Sequence, residues 1–131
     1  TIIKMPVHKF ITKQRRARVQ PNSVHWIPKE VTHNPIRQNK GLRWEIFSQQ
    51  LITIQPGKTF TAVLGLGVQM TKGICLASLK QEIKEKKCSL QDGVIASTED
   101  IIVTIQNNSD HEVIINEGDS LCYVSYYSIA I

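Results

Sequence analysis

QDGVIASTEDIIVTIQNNSDHEVIINEGDSLCYV, residues 91–124, decides how the rest of the chain is read. Three β-branched runs, at residues 101–106, 111–115 and 120–124, are cut apart by Asn107-Asn108-Ser109-Asp110 and Asn116-Glu117-Gly118-Asp119. Val, Ile and Thr favour the pleated backbone, whereas Asn, Asp, Ser and Gly favour tight turns. The pattern predicts consecutive antiparallel strands joined by short polar turns, a β meander.

Upstream, the same grammar continues. Leu42, Trp44 and Ile46 alternate with Arg43 and Glu45, predicting a strand with one apolar and one polar face. Gln55-Pro56-Gly57-Lys58 is a turn, with Pro where φ is preset and Gly where φ can be positive. Phe60, Ala62 and Leu64 alternate with Thr59, Thr61 and Val63, and Thr71-Lys72-Gly73 turns the chain into another apolar run at residues 74–79. Only residues 79–88 lack strand character: Leu79 and Ile83 share a helical face and the lysines gather toward the C-terminal end, predicting about two helical turns or a charged excursion.

The chain of 131 residues has the size of one domain, and no apolar run approaches the roughly 20 residues of a membrane span. No secretory signal pattern opens it, so a soluble, non-membrane protein is expected. The first residue, Thr1, leaves a processed or excised origin open. Cys75, Cys88 and Cys122 are odd in number and lack close pairing, as buried small hydrophobes of a reducing compartment would. His8, His25, His33 and His111 are too scattered for a metal site, and neither metal nor cofactor is expected. Asn107-Asn108-Ser109 matches a glycosylation acceptor that a chain of this cytosolic type leaves unused.

Charge divides the chain in two. Residues 1–42 hold nine Lys or Arg against one Glu, whereas residues 43–131 hold seven basic against ten acidic side chains. A basic N-terminal arm and connector, residues 1–40, therefore precedes a mildly acidic body, residues 41–131. Lys9, Lys13, Arg15, Arg16 and Arg18 form the arm's basic peak. Two readings stand: salt-sensitive contact with RNA or DNA phosphates, or a solvated tail. Pro21, Pro28 and Pro35 keep the segment that follows extended, as a connector or an edge strand, with Trp26 as an anchor on the body or a base-stacking platform. Ile129-Ala130-Ile131 has the apolar-x-apolar form of an ending that a PDZ groove accepts by strand addition, a form that also arises by chance.

Gly93-Val94-Ile95, the hydrophobic pair ahead of Glu117-Gly118-Asp119, Ile54-Gln55-Pro56-Gly57 and Thr71-Lys72-Gly73 occur in the order and spacing of the trimeric dUTPases, which residues 42–126 resemble. The resemblance implies an all-β, distorted jelly-roll or β-clip barrel with one short helix, assembled as a homotrimer. It places Leu121, Tyr123, Tyr126, Tyr127 and Ile129 of the last strand at the subunit interface.

The family's five motifs can be checked residue by residue. Glu45 stands for the metal-assisting Asp of the first, with Arg43 where the family has Gly. Lys80 stands for the phosphate-gripping Arg of the second, whose serines are replaced by Gln81 and Glu82. Ala96 follows Gly93-Val94-Ile95 where the third motif has the Asp that holds the attacking water. Gly118-Asp119-Ser120-Leu121-Cys122-Tyr123 resembles the fourth, with Tyr123 in place of Gln, and the glycine-rich fifth motif is absent.

Residues that shape turns are kept and residues that do chemistry are replaced. The expectation is therefore no catalytic residues and no enzyme activity: a pseudoenzyme, an oligomeric viral structural or accessory binding protein touching nucleic acid through its arm. Alternatives are a pure adaptor for a host or viral protein, and a divergent dUTP pyrophosphatase. The family's habits place such a protein in the cytoplasm or nucleus of a host cell, or in a virion.

Overall fold

The computed structural model describes residues 24–29 and 34–128. Twelve strands and one short helix follow in order among them: β1 (His25–Pro28), β2 (Ile36–Gln38), β3 (Arg43–Phe47), β4 (Ile52–Ile54), β5 (Thr59–Val63), β6 (Leu66–Gln69), β7 (Gly73–Leu79), α1 (Gln81–Lys84), β8 (Cys88–Leu90), β9 (Val94–Ile95), β10 (Ile102–Asn107), β11 (Val113–Ile115) and β12 (Ser120–Ser128). The expected all-β architecture with one short helix is what the chain forms.

Every pairing is antiparallel, and the strands gather into four small sheets: β1-β6, β5-β10-β8, β11-β4 and β2-β3-β12-β7-β9. The expected meander is corrected here. β10, β11 and β12 are consecutive, yet each lies in a different sheet and pairs with a distant strand: β10 with β5, β11 with β4, β12 with β3 and β7. Turns at residues 107–111 and 116–119 carry the chain from sheet to sheet. In the first, the buried Asn107 donates Nδ2 to the carbonyls of Ile54 (2.9 Å) and His111 (2.7 Å) while its Oδ1 accepts from Ser109. An amide so occupied ties the turn to β4 instead of letting β10 and β11 close on each other. It also leaves no free Nδ2 for a glycan at the acceptor sequence.

The core follows the alternation. Trp44 and Ile46 of β3, Ala62 of β5, Leu64, Leu66, Ile105, Leu121 and Val124 are all buried. Trp26 stacks edge-on against Trp44 with ring centroids 5.4 Å apart, so the anchor reading of Trp26 holds. β1 pairs with β6 and β2 with β3, which carries the folded body N-terminal of Gly41, the edge expected for it, into residues 24–38. Cys75, Cys88 and Cys122 are free and buried, and burial pushes the thiols of Cys75 and Cys122 up to about 12. Helix α1 is a single turn, because Leu79 is still the last residue of β7 and Lys87, at φ 64°, already leaves helical geometry.

Candidate functional site

The outer face of the five-stranded sheet carries a polar cluster drawn from four segments of the chain. Glu45 lies in the middle of β3, opposite Arg37 on β2 and Tyr123 on β12. Ser120 and Tyr123 are three positions apart and in a regular strand would point to opposite faces. A bulge between Ser120 and Cys122 shifts the register, so that Leu121 and Cys122 both turn inward and Ser120 joins Tyr123 on the outer side. Lys80 arrives from the end of β7, its backbone N–H bonded to the carbonyl of Leu121 at 3.0 Å.

The Glu45 carboxylate is the hub. Its Oε1 accepts from Arg37 Nη2 at 2.7 Å, and its Oε2 accepts from Lys80 Nζ at 2.9 Å and Ser120 Oγ at 2.5 Å. Burial alone would raise the Glu45 carboxyl, but hydrogen bonds from Ser120, Lys80 and Arg37 outweigh it and hold the group at about 2. Lys80 is held above the ordinary lysine value by Tyr123 and then by Glu45. The Arg43 guanidinium lies 4.1 Å from the centre of the Tyr123 ring and Lys80 Nζ 5.0 Å from it. Arg37, Arg43 and Lys80 against Glu45 leave two positive charges in excess on this face.

This arrangement unites positions the sequence suggested separately. Glu45, Lys80 and Ser120 belong to the stretches that resemble the first, second and fourth dUTPase motifs, and they meet within hydrogen-bonding distance. Gly118, at φ 87°, and Asp119 make the turn that delivers Ser120, with the Gly118 N–H on the Ser48 carbonyl at 2.8 Å. The third stretch lies elsewhere. Gly93-Val94-Ile95 forms the edge at β9, where a Cβ on Gly93 would come within 2.9 Å of the Ala77 carbonyl oxygen. Ala96 follows at that edge, across the sheet from Arg37.

Arg37 was the residue sequence reading missed. Its signal was available: an arginine and a glutamate eight apart flank the turn containing Gly41, in register to face each other if the two short runs form a hairpin. The five basic residues Lys9, Lys13, Arg15, Arg16 and Arg18 lie outside the described residues, as does Ile129. Of the residues expected at a subunit interface, Leu121 and Tyr126 are buried in the chain's own core, and Tyr126 Oη donates to the Thr71 carbonyl at 3.0 Å. Tyr123 and Tyr127 face outward, paired with Ser78 and Ile74 of β7. No cluster of three metal-binding side chains occurs among the described residues, nor a helix long and apolar enough to cross a membrane.

A concavity elsewhere, lined by Glu85, Lys86, Lys87, Asp110, His111 and Glu112 among others, mixes both signs of charge. It gives no consistent preference for an anion or a cation.

No family model and no curated protein matches the chain. Solved structures do. EIAV dUTPase superposes with a TM-score of 0.70 at 13% identity, over 81% of this chain and 88% of that one. A variant dUTPase from phage phi11 of S. aureus gives 0.70 at 17% identity over 84% and 93% of the two chains. A variant of the Staphylococcus bacteriophage 80alpha dUTPase gives 0.70 at 12% identity over 84% and 92%.

The chain thus has a dUTPase-like fold. The expectation that it is no enzyme is corrected by the same matches, since the proteins sharing the fold are dUTPases, which are enzymes. That expectation weighed the replaced motif residues singly, along the chain. In three dimensions Glu45, Lys80 and Ser120 form a charged cluster, and nothing in its geometry shows inactivity.

Proposed function

We propose that this chain is an oligomeric binding module on the dUTPase fold whose ligand carries phosphate, taken up at the face formed by Arg37, Arg43, Lys80 and Ser120 around Glu45. The convergence of these side chains from β2, β3, the end of β7 and β12 carries the reading. Arginine and lysine on a partly buried surface, with a serine hydroxyl and an aromatic ring beside them, suit a phosphorylated ligand bearing a planar base. The module acts as a homotrimer with Tyr123 and Tyr127 turned toward neighbouring subunits. It serves a virus as a structural or accessory protein in the cytoplasm, nucleus or virion, and Lys9, Lys13, Arg15, Arg16 and Arg18 add salt-sensitive attraction for nucleic acid.

A second reading, a divergent dUTP pyrophosphatase, is favoured by the fold match to dUTPases. One set of measurements separates the two. Calorimetric titration of dUTP reads binding, a pyrophosphate-release assay with magnesium reads turnover, and light scattering counts subunits. Binding without release supports the module, release supports the enzyme, and the absence of both removes each reading. For the arm, gel shifts lose their salt-dependent component when residues 1–20 are deleted. An unchanged shift assigns nucleic-acid binding elsewhere.

A further inference from the structure

The three cations of the outer sheet face are not equally free. Lys80 reaches Glu45 with a side chain 22% exposed, whereas Arg37 reaches the same carboxylate from the edge strand with a side chain 62% exposed. An ion pair with a solvent-exposed partner opens easily because that partner regains water, while parting the more enclosed pair leaves charges short of solvent and uncompensated. While it holds Glu45, the Arg37 guanidinium carbon also lies 5.3 Å from the centre of the Phe47 ring, so it sits over an aromatic face at the sheet edge. Ser120 and Lys80 both hold Oε2 of Glu45, so releasing Arg37 from Oε1 leaves the carboxylate anchored.

We infer that Glu45 is a built-in competitor for this site: its carboxylate occupies the cations that would otherwise hold a phosphate group, and Arg37 is the arm that transfers from Glu45 to an incoming phosphate. The inference rests on the phosphate-binding reading above and adds its regulation. With its carboxyl held at about 2, Glu45 is anionic at neutral pH, so the competition operates there. A ligand enters by supplying stronger charge-assisted bonds to Arg37 than one carboxylate oxygen does.

The test uses the full chain and inorganic pyrophosphate at low ionic strength, read by calorimetry, with circular dichroism confirming that each variant is folded. Glu45→Gln keeps an acceptor for Ser120 and removes the competing charge, so pyrophosphate binds at least about tenfold more tightly. Adding Arg37→Gln to that variant abolishes the gain. A folded Glu45→Gln that binds no more tightly, or a gain that survives without Arg37, overturns the inference.

Should Glu45→Gln fail to fold, Arg37→Gln alone decides. Glu45 there keeps Lys80 and Ser120, and pyrophosphate binding weakens if Arg37 is the transferring arm. Unchanged binding overturns it. Binding by the unmodified protein with no gain in Glu45→Gln removes this inference alone. Binding only after Glu45 is neutralised removes the reading of the unmodified protein as a phosphate binder and, with it, the transfer of Arg37, leaving Glu45 as a block on the site. No binding by any folded variant removes both.

Discussion

Lys80 Nζ lies 2.9 Å from Glu45 Oε2 although 35 positions separate them, and the strand between them in the sheet, β12, supplies the serine that shares the same oxygen. One enclosed carboxylate thus ties the start of the body to the end of β7. Loss of either partner leaves the other with a desolvated charge.

Acid stability follows from this carboxylate. Its folded value of about 2 lies below the ordinary 4.5, so its contribution is complete above pH 4.5 and is lost as pH falls toward 2. The contribution is on the order of 3 kcal/mol. Glu45→Gln flattens the dependence of the denaturant midpoint on pH between these limits. An equally steep dependence in the variant would place the titrating group elsewhere.

The pair itself is measured by a double-mutant cycle. Lys80→Met destabilises by about 2–3 kcal/mol, because Glu45 keeps only Ser120 and the exposed Arg37. Combined with Glu45→Gln the loss is smaller than the sum of the two single losses, as urea unfolding will show. Strict additivity would mean that the two side chains do not interact in solution.

Asn107 organises the turn that sends β11 away from β10. Asn107→Ala removes the buried donor to the Ile54 carbonyl, one of two donors to the His111 carbonyl and the acceptor of Ser109, and costs about 2–3 kcal/mol in thermal or denaturant unfolding. A cost below about 0.5 kcal/mol would show that the turn is held by its backbone alone.

Two lysines sit in left-handed backbone, Lys72 at φ 54° and Lys87 at φ 64°. Lys72→Gly and Lys87→Gly each stabilise by about 0.5–1 kcal/mol in relief of that strain. Gly73, next to Lys72, tolerates no such exchange in reverse. A Cβ there would meet the Tyr126 ring at a separation at which something must shift, and Gly73→Ala lowers the unfolding midpoint by several degrees.

Strand positions were legible where residues alternated against one core, as in Trp44 and Ile46 or Ala62 and Leu64, because period two marks a half-buried strand without reference to its partner. Pairing was not legible. The polar clusters at residues 107–110 and 116–119 have the composition of hairpin turns, and only the side-chain bonds of Asn107 and the backbone of Gly118 show that they turn the chain between sheets. Glu45 was legible as a polar-face residue, and its burial was not, because the covering groups come from Arg37, Lys80 and Ser120. The bulge that brings Ser120 to the same side as Tyr123 has no mark in the sequence.

The most direct test of the phosphate site is an amide-shift map of the isotope-labelled 131-residue chain titrated with dUTP at low salt. Saturable shifts centred on Arg37, Arg43, Glu45, Lys80, Ser120 and Tyr123, weakening as salt rises, are the predicted result. Shifts centred instead on the groove between Lys86 and Glu112, or no saturable shift at any of the six, would contradict the account.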